Sequence, residues 1–394
     1  MASRIIGQSR KRLEDPPLLT GQGRFASDIS FPDQLAMRVV RSGYAHGRIV
    51  SVDTSEACAL PGVFAVWTAD DVADLPPIDV RLTNIKGLAP YRQYVLARDK
   101  VRYVGEPVAV VFASDAYTAE DAADLVVIDI EELPAVLDAA GETGDFAPGL
   151  PTEVIVIEKG YGDADAAFKT AQHVVSLTLS VGRHSGVPLE TRGAIARYDA
   201  KHDMLEMYGA AKVPHWNRDQ IAIMLGRERK SINLYEGHTG GGFGVRGELY
   251  PEDVIACYAA LKLGRPVKWI EDRRENLVAC NHSREQTHRI RAAIDAEGHI
   301  LAVEDEFFHD QGAYVRTHGA TVADLAAAML PGPYRIPAYR AVGHIRLTNK
   351  TPGGTYRAPG RYESTFARER LLDAIAAKAG ISPVEAPRRN LLQK

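Results

Sequence analysis

The run His238-Thr239-Gly240-Gly241-Gly242-Phe243-Gly244-Val245-Arg246 constrains this chain more than any other stretch. Four of the five positions 240–244 are glycine. Ordering a glycine costs roughly 0.5–1 kcal/mol more chain entropy than ordering an alanine. A chain that keeps four together therefore needs backbone without Cβ at that place. Such backbone can adopt φ > 0 and turn several N–H groups toward an anion or a flat ligand. Phe243 sets the run apart from a flexible linker, which is usually Ser-rich and lacks an aromatic. A tight, closely packed strand-to-helix turn would use the same residues. The flanks read as a strand over 232–235 and a helix over 248–263, closed by Gly264. The glycine amides then fall near a helix N-terminus, where negative charge is favoured.

Bulk properties narrow the function classes. The 394 residues carry a net charge of −4, which gives no electrostatic basis for binding nucleic acid. No apolar run approaches the ~18 residues of a membrane helix. The first residues lack the apolar core of a signal peptide, so the expected location is cytoplasmic. Cys58, Cys257 and Cys280 are far apart, so no iron–sulfur or structural zinc pattern is present. The 12 histidines form no HxH or HExxH, and no direct metal ligand is expected.

Along the chain, residues 1–20 read as a polar N-terminal arm. A compact α+β unit over 21–137 follows. It has strands near 35–40, 62–67, 103–113 and 126–131, a helix start capped by Thr68, and a helix over 114–123. Residues 138–151 read as a linker rich in Gly, Asp, Ala and Pro. The part over 152–394 has an alternating strand at 174–181, a hairpin over 193–208 and a helix over 214–225. Beyond the glycine run come a strand at 266–270, a hairpin over 286–309, a turn at 310–314 and a helix over 320–329. A strand at 339–347 and a helix over 362–379 complete it. A second loop stands out before that last helix, Thr355-Tyr356-Arg357-Ala358-Pro359-Gly360-Arg361. The pair Gly21/Gly23 does not make a dinucleotide fingerprint, and no Gly-Lys-Ser/Thr follows the glycine run, so a nucleotide-binding P-loop is excluded.

Taken together, these motifs resemble the N-terminal half of the molybdopterin-binding large subunit of the xanthine oxidase / aldehyde oxidase / carbon monoxide dehydrogenase family. Tyr103-Val104-Gly105-Glu106-Pro107-Val108-Ala109-Val110-Val111 looks like the signature of that family's a/b hammerhead domain. Pro188-Leu189-Glu190-Thr191-Arg192-Gly193-Ala194 looks like the start of its first cofactor domain. Gly240–Arg246 matches the family's GGGFGxK loop with Arg for Lys, and the stretch from Thr348 to Arg361 matches its second active-site loop. The resemblance implies an α+β fold, a hammerhead domain followed by the first molybdopterin-cofactor-binding domain. It places the backbone of Gly241, Gly242, Phe243 and Gly244 against the molybdenum centre, with Arg357 beside it. Ala358 and Pro359 would border the substrate pocket. The slot that usually holds a glutamine two positions before a Pro-His pair holds Lys212, ahead of Pro214-His215.

The resemblance also implies partners. The cofactor, expected in its cytosine dinucleotide form, would be shared with a second molybdopterin-binding chain. Iron–sulfur clusters and FAD would sit on other subunits. The general-base glutamate of the family lies in the half that does not match, so no catalytic residue is assigned to this chain. Glu248 and Glu252 read as surface charges on the helix after the glycine run. Ala358 replaces the cysteine that follows the second-loop arginine in copper-containing carbon monoxide dehydrogenases, which argues against a Mo–Cu site. Two readings remain open. One is a split or truncated subunit of a molybdenum hydroxylase that oxidises an aldehyde or N-heteroaromatic substrate with water as oxygen source. The other is a non-catalytic fragment or assembly partner that keeps the fold without the cofactor.

Overall fold

A computed structural model describes residues 5–81, 83–209 and 213–393. Lys212 lies outside the described residues.

Two sheets organise the chain. The first has seven strands in the order Ile232–Tyr235, Met204–Tyr208, Gly193–Asp199, Val267–Ile270, Leu35–Arg41, Pro107–Ala113 and Val63–Trp67. The strands from the N-terminal α+β unit therefore continue the sheet of the later part. The join is a parallel pairing of Leu35 with Val267 and Ala36 with Lys268. Pro107–Ala113 is buried along its whole length, as expected for a central strand with both faces covered. The second sheet has five strands in the order His173–Val181, Gln286–Ile294, Ile300–Gly312, Ala338–Leu347 and Glu153–Tyr161. Helices Gly319–Met329 and Arg361–Ala379 close its inner face around Phe307, Ala323, Leu371 and Ile375.

Several local expectations are corrected. Thr68 caps a turn, not a helix: its N–H and hydroxyl bond the Asp71 carboxylate, at 2.8 and 3.3 Å, and the chain does not continue helically. The strand expected from Tyr103 begins at Pro107, because Gly105 at φ +102° turns the chain. The stretch 138–151 holds a two-stranded hairpin, Asp145–Ala147 with Leu150–Pro151, and its Phe146 packs on Tyr91 and Tyr314. The turn expected at 310–314 starts later, since Ile300–Gly312 is one strand. Strands Gly47–Asp53 and Glu153–Tyr161, the latter despite its run Val154-Ile155-Val156-Ile157, and helix Ala164–Thr170 are additions to the sequence expectation.

The correction that matters most for function is the helix after the glycine run. It spans Pro251–Leu263, not 248–263. A residue before proline is driven out of the helical region. Tyr250 accordingly sits extended at φ −110°, ψ 157°, and Pro251 takes the first helical turn. The helix is buried on nearly every side, so Glu248 and Glu252 are not surface charges: each is 1 % exposed. Glu252 pairs with Arg192 at 3.2 Å and with Arg41 at 2.7 Å. Burial alone would raise its pKa, but Arg192 and then Arg41 reverse the effect and hold the carboxyl down at about 2.

Candidate cofactor site

Glu190 anchors the glycine loop. Its Oε2 accepts the Gly240 N–H at 2.6 Å and the Arg246 guanidinium at 2.9 Å, and its Oε1 accepts the Ala26 N–H at 3.2 Å. Arg246 also donates to the carbonyls of Glu190 and Thr191. Arg246 is buried, so it staples the loop to the 188–192 segment and does not reach toward a ligand. Below the loop, the Tyr250 hydroxyl donates to the Val245 carbonyl at 2.7 Å. The N-terminal segment reinforces the base of the loop: the Arg24 N–H donates to His238 Nδ1 at 2.9 Å, and the His238 N–H returns to the Arg24 carbonyl at 3.1 Å.

The loop's crest is strained and open. Gly241 and Gly244 both sit at φ +104°, and Phe243 itself sits at φ +48°, uncommon for an aromatic residue. A Cβ on Gly244 would stand 3.2 Å from the Thr355 carbonyl. Phe243 is 45 % exposed. Among the described residues, the N–H groups of Gly241, Gly242, Phe243 and Gly244 have no hydrogen-bond partner.

The second loop lies directly against the first, although about 110 residues separate them in sequence. The Arg357 N–H donates to the Phe243 carbonyl at 2.6 Å, and the Thr355 hydroxyl lies 3.1 Å from the Gly244 carbonyl. Arg284 supports this loop from behind. It donates to the carbonyls of Arg357 and Ala358, faces Glu363 at 3.5 Å, and stacks on the rings of Tyr356 and Tyr362. The Arg357 guanidinium is exposed and has no partner among the described residues. Ala358 is exposed at φ +58°, and Pro359 is half-buried beside it. The fold thus brings together Gly241–Gly244, Arg357, Ala358 and Pro359 on one open face. Unpaired amides with an unpaired guanidinium form a donor set for an oxyanionic, planar group.

Three side chains that shape this face went unassigned in the sequence. Glu190 lay inside the quoted motif 188–194 without a role. Arg284 has no local signal at all. Glu248 was misplaced with its helix; its Oε1 accepts the Thr355 N–H at 3.0 Å and the Thr355 hydroxyl at 2.8 Å. Burial raises its carboxyl, while His318 and then Thr355 more than offset that and hold it below the usual range.

Such a donor set suits a protein that binds an anionic cofactor against two loops. The family described as "Molybdopterin cofactor-binding domain" matches residues 146–391, and "Aldehyde oxidase and xanthine dehydrogenase, a/b hammerhead domain" matches residues 20–134. The chain belongs to this molybdopterin-binding family. It is 46% identical over 394 residues to the 6-hydroxypseudooxynicotine dehydrogenase complex subunit gamma of Paenarthrobacter nicotinovorans, covering 98% of this chain and 50% of that protein. It is 30% identical to the nicotinate dehydrogenase large molybdopterin subunit of Eubacterium barkeri, covering 97% of this chain and 88% of that protein. Among solved structures, quinoline 2-oxidoreductase from Pseudomonas putida 86 superposes with a TM-score of 0.92 at 37% identity, over 98% of this chain and 50% of that one. The chain spans about half the length of the Paenarthrobacter and Hydrogenophaga relatives it matches, and 88% of the Eubacterium subunit.

Proposed function

We propose that this chain is one molybdopterin-binding subunit of a molybdenum hydroxylase, and that it forms one wall of the cofactor site. The observation that carries the reading is the junction of the two loops. The Arg357 N–H on the Phe243 carbonyl brings together four amides and a guanidinium that have no partner among the described residues. The residues present fit the group: Gly241, Gly242, Phe243 and Gly244 would donate to its oxygen ligands, and Arg357 would supply fixed positive charge. Lys212, outside the described residues, is included on the motif resemblance alone.

When bound, the molybdenum group supplies the two-electron acceptor and the oxygen-transfer centre for RH + H₂O → ROH + 2e⁻ + 2H⁺. This chain's part is to bind, orient and exclude water. Glu190 and Glu248 serve these loops as hydrogen-bond acceptors. Following the motif resemblance, we assign the general base to a second molybdopterin-binding chain. Iron–sulfur and flavin subunits would carry the electrons away, because the three cysteines are free and scattered. One relative, matched over 88% of its own length, is itself named a large molybdopterin subunit, and the proposal covers a split and a truncated subunit alike. Relatives named for nicotine, nicotinate and quinoline stand beside others named for carbon monoxide, xanthine and aldehyde, and on the first group we place the substrate among N-heteroaromatics, bordered by Ala358 and Pro359, ahead of aldehydes.

We further propose the cytosine dinucleotide form of the cofactor, as the motif resemblance implies, and a cytoplasmic location. No helix among the described residues is long and apolar enough to cross a membrane. The functional units proposed are the arm 1–20, hammerhead 21–137, linker 138–151 and cofactor domain 152–394, with one sheet running through the second and fourth. The reaction is tested by turning over an N-heteroaromatic substrate in H₂¹⁸O with the assembled complex. One ¹⁸O per hydroxylated product is expected; label arriving from O₂ instead would overturn the reading. A complex with no such turnover and no molybdenum would favour the alternative of a non-catalytic assembly partner.

A further inference from the structure

Glu248 stands where three separate segments meet. It follows the glycine loop directly in sequence. Its Oε1 accepts both the N–H and the hydroxyl of Thr355, which fixes the start of the second loop two residues before Arg357. Its own carbonyl accepts from Asn217 Nδ2 at 3.3 Å, which ties it to the first turn of helix Pro214–Met224. Asn217 in turn accepts from Arg81 at 2.9 Å, and Arg81 also donates to the Gly247 carbonyl.

A proton order runs through the same cluster. Arg81 Nε donates to His318 Nε2 at 3.3 Å, so the imidazole proton must sit on Nδ1. Nδ1 faces Glu248 Oε2 at 3.1 Å, in a contact bent away from good hydrogen-bond geometry. The Glu248 carboxylate is thus flanked by Thr355, through hydrogen bonds to Oε1, and by His318 Nδ1, through an electrostatic contact with Oε2. Glu248, Arg81 and Asn217 are all buried. Gly354 must be glycine here, because a Cβ would stand 3.0 Å from Glu248 Oε1 and press into Asn281.

We propose that Glu248 is a positioning residue, which sets the mutual placement of the glycine loop, the second loop with Arg357, and the segment that enters helix Pro214–Met224. The inference rests on the cofactor-wall reading for its consequence in turnover, but its structural content does not. Glutamine at 248 keeps the size and one acceptor oxygen. It turns an amide NH₂ toward His318 Nδ1–H, donor against donor, and Arg81 blocks the other tautomer.

Hydrogen exchange on the full chain tests this. In Glu248→Gln, amides in 353–358 and in 213–219 should exchange at least about tenfold faster, with strand Ile300–Gly312 unmoved. Thr355→Val should accelerate 353–358 alone. Rates within about twofold of the parent in either segment of Glu248→Gln overturn the proposal, as does equal acceleration across Ile300–Gly312, which marks general loss of stability. If Glu248→Gln does not fold, the Thr355→Val result decides: an unmoved second loop overturns the proposal. In the assembled complex, Glu248→Gln should lower kcat at least about tenfold with KM little changed, and an unchanged kcat overturns the positioning role. Absence of molybdenum from the parent complex would sink the cofactor reading and leave the exchange result standing.

Discussion

Phe243 and Gly244 occupy adjacent left-handed positions on the crest of the glycine loop, and they should respond differently to substitution. Phe243 is nearly half exposed, so Phe243→Ala should change unfolding free energy by less than about 1 kcal/mol. It should still alter turnover of the assembled complex. A large fall in melting temperature with unchanged turnover would make the ring a core residue instead. Gly244→Ala places a Cβ at φ +104° and 3.2 Å from the Thr355 carbonyl. A loss of about 1–3 kcal/mol is expected by urea denaturation. Gly247 has no positive φ and nothing within 4 Å of a Cβ, so Gly247→Ala serves as the near-neutral control. These crest residues were legible in the sequence because function there lies in a contiguous motif. Glu190, Arg284 and His318 were not, because each acts on residues 50 or more positions away and has no local pattern.

At the scale of elements, helix Pro251–Leu263 shows where reading by periodicity stops. Its apolar positions predicted one buried face, whereas the helix is enclosed on nearly all sides and takes Glu252 inside. Periodicity detects apolar residues facing a core; it cannot detect a buried glutamate whose counter-charges come from Arg41, at the end of strand Leu35–Arg41, and from Arg192, just before strand Gly193–Asp199. Arg192 supplies that charge together with Arg41, and it also holds Glu271. Arg192→Met should therefore leave two buried carboxylates short of a partner and cost about 3–5 kcal/mol, measured by chemical denaturation. A cost under about 1 kcal/mol would mean that Arg41 alone suffices. Most of the longer strands, by contrast, were readable from alternation and β-branched content; Gly47–Asp53 and Glu153–Tyr161 were missed outright, and Pro107–Ala113 was misplaced at an end set by Gly105.

Across the whole molecule, the hammerhead and cofactor-domain parts meet through buried polar contacts as well as the shared sheet. Arg316 donates to Gln93 at 2.8 Å and to the Tyr103 hydroxyl at 3.1 Å. Glu106 accepts from the Tyr314 hydroxyl and from the Arg102 N–H, each at 2.6 Å. Burial drives the Glu106 carboxyl up to about 7, with Tyr314 only partly opposing it. Because the folded pKa exceeds the ordinary value of 4.5, the folded chain binds the extra proton between those values. Stability from this group is present below pH 4.5 and is lost as pH rises toward 7. In Glu106→Gln, the decline in melting temperature between pH 5 and 7.5 should be smaller than in the parent; parallel profiles would show that Glu106 does not titrate there. Neither this seam nor the parallel pairing of Leu35 with Val267 was visible in the sequence, since both join residues about 200 or more positions apart.

If the paired loops form one wall of a molybdenum site, the metal content of the assembled complex, purified through this chain, reports it. About one molybdenum per copy of this chain is expected, lost when Gly242 is replaced by a bulky residue but the complex still assembles. An assembled, folded complex that contains this chain and no molybdenum would contradict it.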